Sequence, residues 1–220
     1  MKIEKLGLIH TSATLVPVFA DLCQAKLPAV KTFNIADDSL IKEVIERQEL
    51  TRSVSRRVGS HVQAAQQAGA DCILVTCSSI GPAVEAAAAL ADVPVLRVDQ
   101  PMADKAVRMG AKIGVAATLR TTLEPTADLI RRRAQAAGKR VEINAQLCDG
   151  AFEALMSGDA AKHDQMVGET LRRLAAEVDV VVLAQASMAR VADALDPSEV
   201  TTPVLSSPGL AIDFLAEQSS

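Results

Sequence analysis

Aromatic side chains are almost missing from this chain of 220 residues. Phe supplies all of them, 2% of the sequence, and neither Trp nor Tyr occurs. Proteins that bind single-stranded nucleic acid use aromatic rings as stacking surfaces and basic tracts to follow the phosphates. This chain has a formal net charge of −4 and no basic tract interleaved with aromatic residues. We therefore expect no nucleic-acid partner.

Long apolar runs are also missing. A membrane-spanning helix needs about 18 consecutive apolar residues, and no stretch approaches that length, so we expect no membrane partner. The first 22 residues resemble a signal peptide only superficially, because Glu4 and His10 interrupt them. We read a mature start there and expect a cytoplasmic protein. Hydrophobic residues still make up 49% of the sequence, which is ample for a buried core.

Cysteine is scarce, and its spacing matches no zinc-binding pattern, so we expect no metal. Cys23, Cys72 and Cys148 are typical of small buried hydrophobic residues in a reducing compartment. Cys77 differs because it stands at the end of an apolar strand-like run.

Short apolar runs alternate with longer helical patterns, which favours an α/β fold with parallel sheets buried on both faces. The runs that predict strands are 5–10, 30–35, 71–77, 94–98, 112–117, 141–148, 179–185 and 203–207. Helical spacing is found over 53–69, 123–138 and 163–178, and Gly69 and Gly138 end the first two.

The second half of the sequence repeats the first. Aligning 6–14 with 113–121 places Gly7 on Gly114, and the strand that carries Cys77 falls on the strand that carries Gln185. The alternative is that any two α/β units look somewhat alike. We predict two pseudo-symmetric three-layer domains, each with a mostly four-stranded parallel sheet flanked by helices. The final helix would pack back on the first domain, so the expected domains are 1–98 plus 205–220, and 99–204.

Ligands of open parallel sheets bind beyond the carboxyl ends of the strands. If the two units face each other, those ends would line a cleft between them. The side chains expected there are His10, Thr11, Thr14, Cys77, Ser78, Ser79, Thr118, Thr121, Gln185 and Ser187.

Cys77 is the strongest candidate for chemistry. A thiol at the start of a helix is close to the positive end of the helix dipole, which favours the thiolate. The following "SSIGP" adds two hydroxyls and free backbone donors that suit a carboxylate or an oxyanion. The alternative is that Cys77 belongs to the core.

His10 ends the first strand. In a doubly wound sheet, strands one and three are neighbours, so His10 would lie close to Cys77. It could hold the thiolate, relay a proton or bind an anion; alternatively, it only caps the following helix. His61 and His163 lie in polar helical stretches, and we expect both on the surface.

Further polar residues flank the other predicted turns. Thr118 and Thr121 surround a strand-to-helix turn, where hydroxyls cap the helix or hold an anion. Arg47 and Arg52 flank a break between helical patterns, from which an arginine could reach a second carboxylate or simply remain solvated.

Four segments together resemble the aspartate/glutamate/hydantoin racemase superfamily, which includes maleate isomerases and arylmalonate decarboxylases. They are "GLIHTSAT" (7–14), "ILVTCSSIG" (73–81), "IGVAATLRT" (113–121) and "VVVLAQASM" (180–188). The resemblance implies two pseudo-symmetric α/β domains around a cleft, usually in dimers. It also implies a reaction without a cofactor, at the carbon next to a carboxylate of a small acid.

The sequence departs from this family at one position. Such racemases use two cysteines on opposite faces of the substrate, whereas here only Cys77 is present and Gln185 holds the second place. An amide has no acid or base capacity near neutral pH. Ser78, Ser79, Thr118 and Thr121 carry over as anion-holding candidates. Beyond the resemblance, we expect Thr11, Gln185, Ser187, Arg47 and Arg52 to be further substrate-binding candidates.

A single thiol can protonate a carbanion from one face or add to an activated double bond. We therefore predict a cofactor-independent isomerase or lyase. The alternatives are a non-catalytic protein that binds small acids and a hydrolase that uses Cys77 and His10.

Overall fold

The computed structural model describes residues 2–219, which form two four-stranded parallel sheets with helices packed on them. The first sheet consists of β1 (Lys5–His10), β2 (Lys31–Ala36), β3 (Cys72–Val75) and β4 (Val95–Arg97). The second consists of β5 (Lys112–Ala117), β6 (Glu142–Leu147), β7 (Val180–Leu183) and β8 (Val204–Ser206). Their orders are β2-β1-β3-β4 and β6-β5-β7-β8. The α/β class predicted from the sequence is confirmed.

Ten helices accompany the sheets within the described residues. Those in the first half and at the end are α1 (Leu15–Lys26), α2 (Asp38–Arg47), α3 (Arg52–Gln67), α4 (Gly81–Ala88) and α10 (Ser207–Ser219). Those between are α5 (Gln100–Met109), α6 (Arg120–Ala136), α7 (Ala151–Met156), α8 (Ala160–Ala175) and α9 (Ala189–Asp193).

The chain divides into two compact units. One extends to Gln100 and takes in the segment from Pro208 onward, and the other is Pro101–Ser207. In the first unit, α10 contributes Ala211, Ile212 and Leu215 to a buried cluster that also contains β1 residues. The last helix therefore packs within the first unit.

The two central strands of the first sheet are buried on both faces, which explains why residues 6–9 of β1 and all of β3 are apolar. Ile9, Ile73 and Val75 pack with α2, α3 and α4 on one face. Leu6 and Leu74 pack with α1 and α10 on the other. In the second unit α7, α8 and α9 supply one apolar cluster, while α6 contacts β5 and β6.

The two units share strand register as well as strand order. The pairing of β1 with β3 runs from Leu6↔Cys72 to Ile9↔Val75, and that of β5 with β7 from Ile113↔Val180 to Ala116↔Leu183. An aspartate closes the start of each pair. Asp71 Oδ2 accepts from the N–H groups of Glu4 and Lys5, and Asp179 Oδ2 accepts from those of Ala111 and Lys112 at 2.8 Å.

Element ends differ from the sequence expectation by a few residues. The ladder of β3 ends at Val75 and that of β7 at Leu183, because the chain turns there into short 3₁₀ helices. The first turns of α3 and α8 begin earlier than expected. Thr51 caps α3 by accepting from Val54 N, and Asp159 caps α8 by accepting from Lys162 N.

The surface position predicted for two histidines is wrong for His163 and only partly right for His61. His163 is fully buried, because it lies on the same face of α8 as the buried Val167 and Leu171. The polar residues around it belong to the other face. His61 is half-buried, and its Nε2 donates to Oδ2 of Asp37 at 2.8 Å.

Close packing of β5 against α8 makes Gly114 sensitive to substitution. A Cβ there would lie 2.7 Å from Cγ of Leu174, which is itself buried. We expect Gly114→Ala to lower the free energy of unfolding by about 1–3 kcal/mol through overpacking. Gly59→Ala in α3 is the matched control, since a Cβ there meets nothing within 4 Å; it should be neutral or stabilise by up to about 1 kcal/mol. Urea unfolding measures both, and equal effects would contradict this packing.

The two hydrogen bonds that Asp179 accepts at the start of β5 predict that the stability of the fold depends on pH. Backbone N–H groups of Lys112 and Ala111 hold the pKa of Asp179 below its ordinary value. A lowered folded-state pKa stabilises the fold above the unfolded pKa of about 4, and the effect is lost as pH falls through the folded value. We expect Asp179→Ala to lower the melting temperature at pH 7, with the difference from wild type narrowing below about pH 4. Asp128→Ala, on an exposed helix face, is the control, and a difference that persists in acid would contradict the interpretation.

Candidate active site

Cys77 lies just beyond the carboxyl end of β3. Its backbone is extended (φ −134°, ψ 120°), and it caps a 3₁₀ turn, Ser78–Ile80, that leads directly into α4. Cys77 is partly exposed, although it packs at the margin of the apolar cluster beneath it. Part of the Cys77 residue is therefore exposed at the edge of the sheet where ligands of parallel sheets bind.

The other cysteines differ from Cys77 in their surroundings. Burial raises the pKa of Cys23 and of Cys72 to about 11, and burial also raises the pKa of Cys148. These thiols stay protonated near neutral pH and behave as small apolar groups, as the sequence predicts. Cys77 is thus the cysteine available to a solute.

The hydroxyls near Cys77 are mostly buried. Ser78 and Ser79 lie in the 3₁₀ turn, and Thr11 follows β1 directly; all are less than 6% exposed. Thr14 is different, because it is exposed at the start of α1 and its hydroxyl pairs with that of Ser12 at 2.7 Å. Thr14 is accordingly the weakest of the predicted hydroxyl candidates in this unit.

His10 is fully buried at the end of β1, with both ring nitrogens engaged. Nε2 donates to Oδ1 of Asn34 at 2.8 Å, and Nδ1 pairs with the hydroxyl of Thr76 at 2.8 Å. Burial lowers the pKa of His10, so the ring is neutral at pH 7, with its proton on Nε2. As predicted, strands one and three are neighbours, but the residue that His10 contacts after β3 is Thr76, which directly precedes Cys77. It caps no helix; its partners are side chains.

A charged cluster beside this edge escapes the sequence analysis. Asp37 follows β2, caps α2 through Ser39 N, and pairs with Arg57 Nη2 at 2.7 Å and with His61. Burial alone would raise the pKa of Asp37, but hydrogen bonds from Ser39, His61 and Arg57 and the Arg57 charge hold it well below its usual range. The local signal for Asp37 is a helix-capping aspartate directly after a strand.

Arg47 and Arg52 lie at the facing ends of α2 and α3, and both are exposed. Between them Gln48 takes a left-handed conformation (φ 56°) that turns the chain. The break predicted from the sequence is therefore real, while the role of the two arginines stays a prediction.

Gln185 occupies the same position in the second unit as Cys77 in the first. Its backbone is extended (φ −131°, ψ 136°), and it caps a 3₁₀ turn, Ala186–Met188, that leads into α9. Its Oε1 accepts from the N–H of Thr118 at 2.6 Å and from the Thr118 hydroxyl at 3.0 Å. Because Oε1 takes both bonds, the orientation of the amide is set and Nε2 is presented as a donor.

Thr121 and Ser187 are the remaining predicted site residues of the second unit. Thr121 is in the first turn of α6, and its Oγ1 is buried with no hydrogen-bond partner within residues 2–219. A buried hydroxyl of this kind at a helix start is suited to an anion. Ser187, in contrast, is exposed in its 3₁₀ turn.

Each unit thus gathers its own predicted residues at the carboxyl edge of its own sheet. The residues at this edge of the first sheet are Cys77, Ser78, Ser79, Thr11 and His10. Thr118, Thr121 and Gln185 share that of the second.

None of the helices within residues 2–219 combines the length and apolarity needed to cross a membrane. No grouping of His, Cys, Asp and Glu in that range has the geometry to hold a metal ion. The cytoplasmic location stays a prediction.

Solved structures with the same fold were found by comparison. A putative Asp/Glu racemase from Yersinia pestis superposes with a TM-score of 0.72 at 18% identity, over 98% of this chain and 99% of that one. Glutamate racemase isoform RacE1 from Bacillus anthracis gives 0.71 at 19% identity, over 99% and 82%. Allantoin racemase from Klebsiella pneumoniae gives 0.69 at 18% identity, over 98% and 86%.

At these identities the structures establish the fold alone, and no curated protein matches the sequence. The family itself is established by the sequence, since the Asp/Glu/Hydantoin racemase model matches residues 6–215. The chain belongs to the Asp/Glu/hydantoin racemase family.

Proposed function

We propose that this protein is a cofactor-independent isomerase or lyase with one catalytic thiol, Cys77. Its substrate would be a small organic or amino acid, and the reaction would take place at the carbon next to a carboxylate. The observation that carries the proposal is the contrast between the partly exposed Cys77 at a strand end and the buried cysteines elsewhere. Family membership supports the reaction class.

In the proposed step the Cys77 thiolate removes a proton from the carbon next to the carboxylate. The electron pair of the broken C–H bond remains as a planar carbanion or enediolate, and sulfur becomes a neutral thiol. The same thiol can return a proton to the same face. In a lyase the electron pair would come from a C–C bond that releases carbon dioxide, and a protonated Cys77 would supply the proton.

The hydroxyls and backbone donors would bind the carboxylate and the charge that develops on it. The residues proposed for this role are Ser78, Ser79, Thr118 and Thr121. The Thr121 hydroxyl has no hydrogen-bond partner among residues 2–219 and is already desolvated by the fold, so forming a bond to an anion costs little further desolvation.

Gln185 would bind rather than catalyse. Its Nε2 is a donor whose direction is set by the two bonds that Thr118 makes to Oε1. We propose that it donates to a substrate carboxylate or carbonyl oxygen, in the place where the family has a second cysteine. With no acid or base there, racemisation would need water at the second face.

We propose that His10 is a positioning residue. Its ring nitrogens are engaged by Thr76 and Asn34, so neither is available to remove a proton from Cys77. This argues against the Cys77–His10 hydrolase. His10 would act through Thr76 to hold the backbone that precedes the thiol.

A non-catalytic protein that binds small acids is the second candidate. The observation that favours it is the amide of Gln185, which is bonded by Thr118 and can bind an acid but cannot transfer protons. The homodimer implied by the family resemblance stays a prediction in either case.

Replacing the thiol tests the proposal directly. Wild type, Cys77→Ser and the control Cys23→Ala would be incubated in deuterated water with amino acids, hydantoins and malonates. We expect deuterium at the carbon next to the carboxylate for wild type and control, and a loss of about a hundredfold or more in Cys77→Ser. One enantiomer should exchange faster than it inverts. Exchange that survives in Cys77→Ser would contradict the catalytic role. If no acid exchanges but calorimetry detects binding, the binding protein is favoured.

An isosteric change tests the role of Gln185. Gln185→Glu keeps an oxygen for Thr118 but replaces the Nε2 donor with a carboxylate oxygen. Repulsion of the substrate carboxylate should raise KM by at least about tenfold, with a smaller change in kcat. Gln135→Glu, an exposed change of the same charge in α6, is the control. An unchanged KM in Gln185→Glu would show that the amide does not touch the substrate.

A further inference from the structure

Arg97 is a buried cation close to the Cys77 turn in the fold. It lies at the end of β4, 2% exposed, and its Nε and Nη2 donate to the two carboxylate oxygens of Asp99 at 2.9 and 2.8 Å. Asp99 is itself fully buried. The remaining arm, Nη1, donates to Oε1 of Glu85 on α4 at 2.7 Å. The guanidinium therefore ties β4 to the helix that follows Cys77.

The guanidinium also packs directly against Gly81, the first residue of α4. A Cβ on Gly81 would overlap Cζ and Nη2 of Arg97, so only glycine leaves room for it. Gly81 stands four residues after Cys77, and its N–H donates to the carbonyl of Ser78 to close the 3₁₀ turn. Arg97 thus contacts the backbone at the end of this turn.

The second unit has no such arrangement, although its backbone follows the same register. Val75 pairs with Arg97 in the first sheet, and Leu183 pairs with Ser206 in the second. In the repeat Ser206 therefore replaces Arg97, and Ala189, the residue that starts α9, replaces Gly81. The arginine and the glycine occur together in the copy that carries the thiol and are both absent from the copy that carries Gln185.

We propose that Arg97 is a positioning residue for Cys77, which it serves by locking the turn from Cys77 to Gly81 against β4. This inference rests on the proposed catalytic role of Cys77. A buried ion pair is weak as a source of stability, because desolvation offsets its attraction. Its use here is geometric, because a planar guanidinium bonded to both Asp99 and Glu85 is held in one position against the Gly81 backbone.

Two substitutions disrupt the contact between Arg97 and Gly81, one at each residue. Arg97→Lys keeps the charge but loses the planar fork, and Gly81→Ala keeps every charge but adds a methyl group where the guanidinium lies. Gly59→Ala is the control, because it makes the same chemical change on a helix where the methyl group meets nothing within 4 Å. The second variant keeps the test valid if the first does not fold.

Two measurements are made on each variant. Hydrogen exchange followed by mass spectrometry should show amides of residues 78–84 exchanging about tenfold faster, with 186–191 unchanged. In the deuterium assay, kcat should fall about a hundredfold while KM stays within about twofold, since misplaced catalytic groups lose rate rather than binding.

If hydrogen exchange over residues 78–84 is unchanged in both variants, Arg97 does not hold this turn in place, whichever reaction the protein performs. Faster exchange with an unchanged kcat, or equal losses in kcat and in binding, would reduce Arg97 to a structural residue. Cys77→Ser is assayed in parallel. If it retains activity, the proposed function fails; if it is inactive while Arg97→Lys and Gly81→Ala keep full kcat, only the present inference fails.

Discussion

The parallel pairing of the two central strands in each sheet is the constraint on which the candidate site depends. A shift of one residue between β1 and β3 would turn Cys77 and the residues after it toward the opposite face. Two local contacts hold the register at the start of the strands: the carboxylate of Asp71 across the N–H groups of Glu4 and Lys5, and its counterpart Asp179 in the second unit. Because the starts of the paired strands are aligned, their carboxyl ends are aligned as well. In each unit one residue, Cys77 or Gln185, then stands in an extended conformation directly before a 3₁₀ turn.

The chemical difference between the two copies is superimposed on an almost identical backbone. Cys77 and Gln185 have nearly the same φ and ψ angles and cap equivalent turns. What surrounds them differs. The thiol copy has a buried arginine against a glycine, while the amide copy has serine and alanine at those positions and bonds its amide to Thr118. One copy thus packs a buried guanidinium against the backbone that follows its cysteine, and in the other copy the amide side chain is fixed by hydrogen bonds from Thr118.

Several features were predictable because local residue patterns carry them. Alternating apolar runs and helical spacing predict the α/β class, and the halves can be aligned because equivalent strands follow one another in the same order. The partial exposure of Cys77 follows from its position at a strand end. Helix starts were less predictable, since the caps of α3 and α8 depend on single side chains, Thr51 and Asp159.

The sequence by itself determined the alternation of strands and helices, the internal repeat, the family, and the pairing of one thiol with one amide at equivalent positions. Only the tertiary structure decided the partners of the buried polar groups. His163 is buried because of the face of α8 on which it lies, His10 bonds to Thr76 across 66 residues, and Asp37 meets Arg57 across 20. The physical reason is that hydrophobic periodicity is a property of each segment, whereas a buried hydrogen bond is made between segments whose approach depends on the packing of the whole unit.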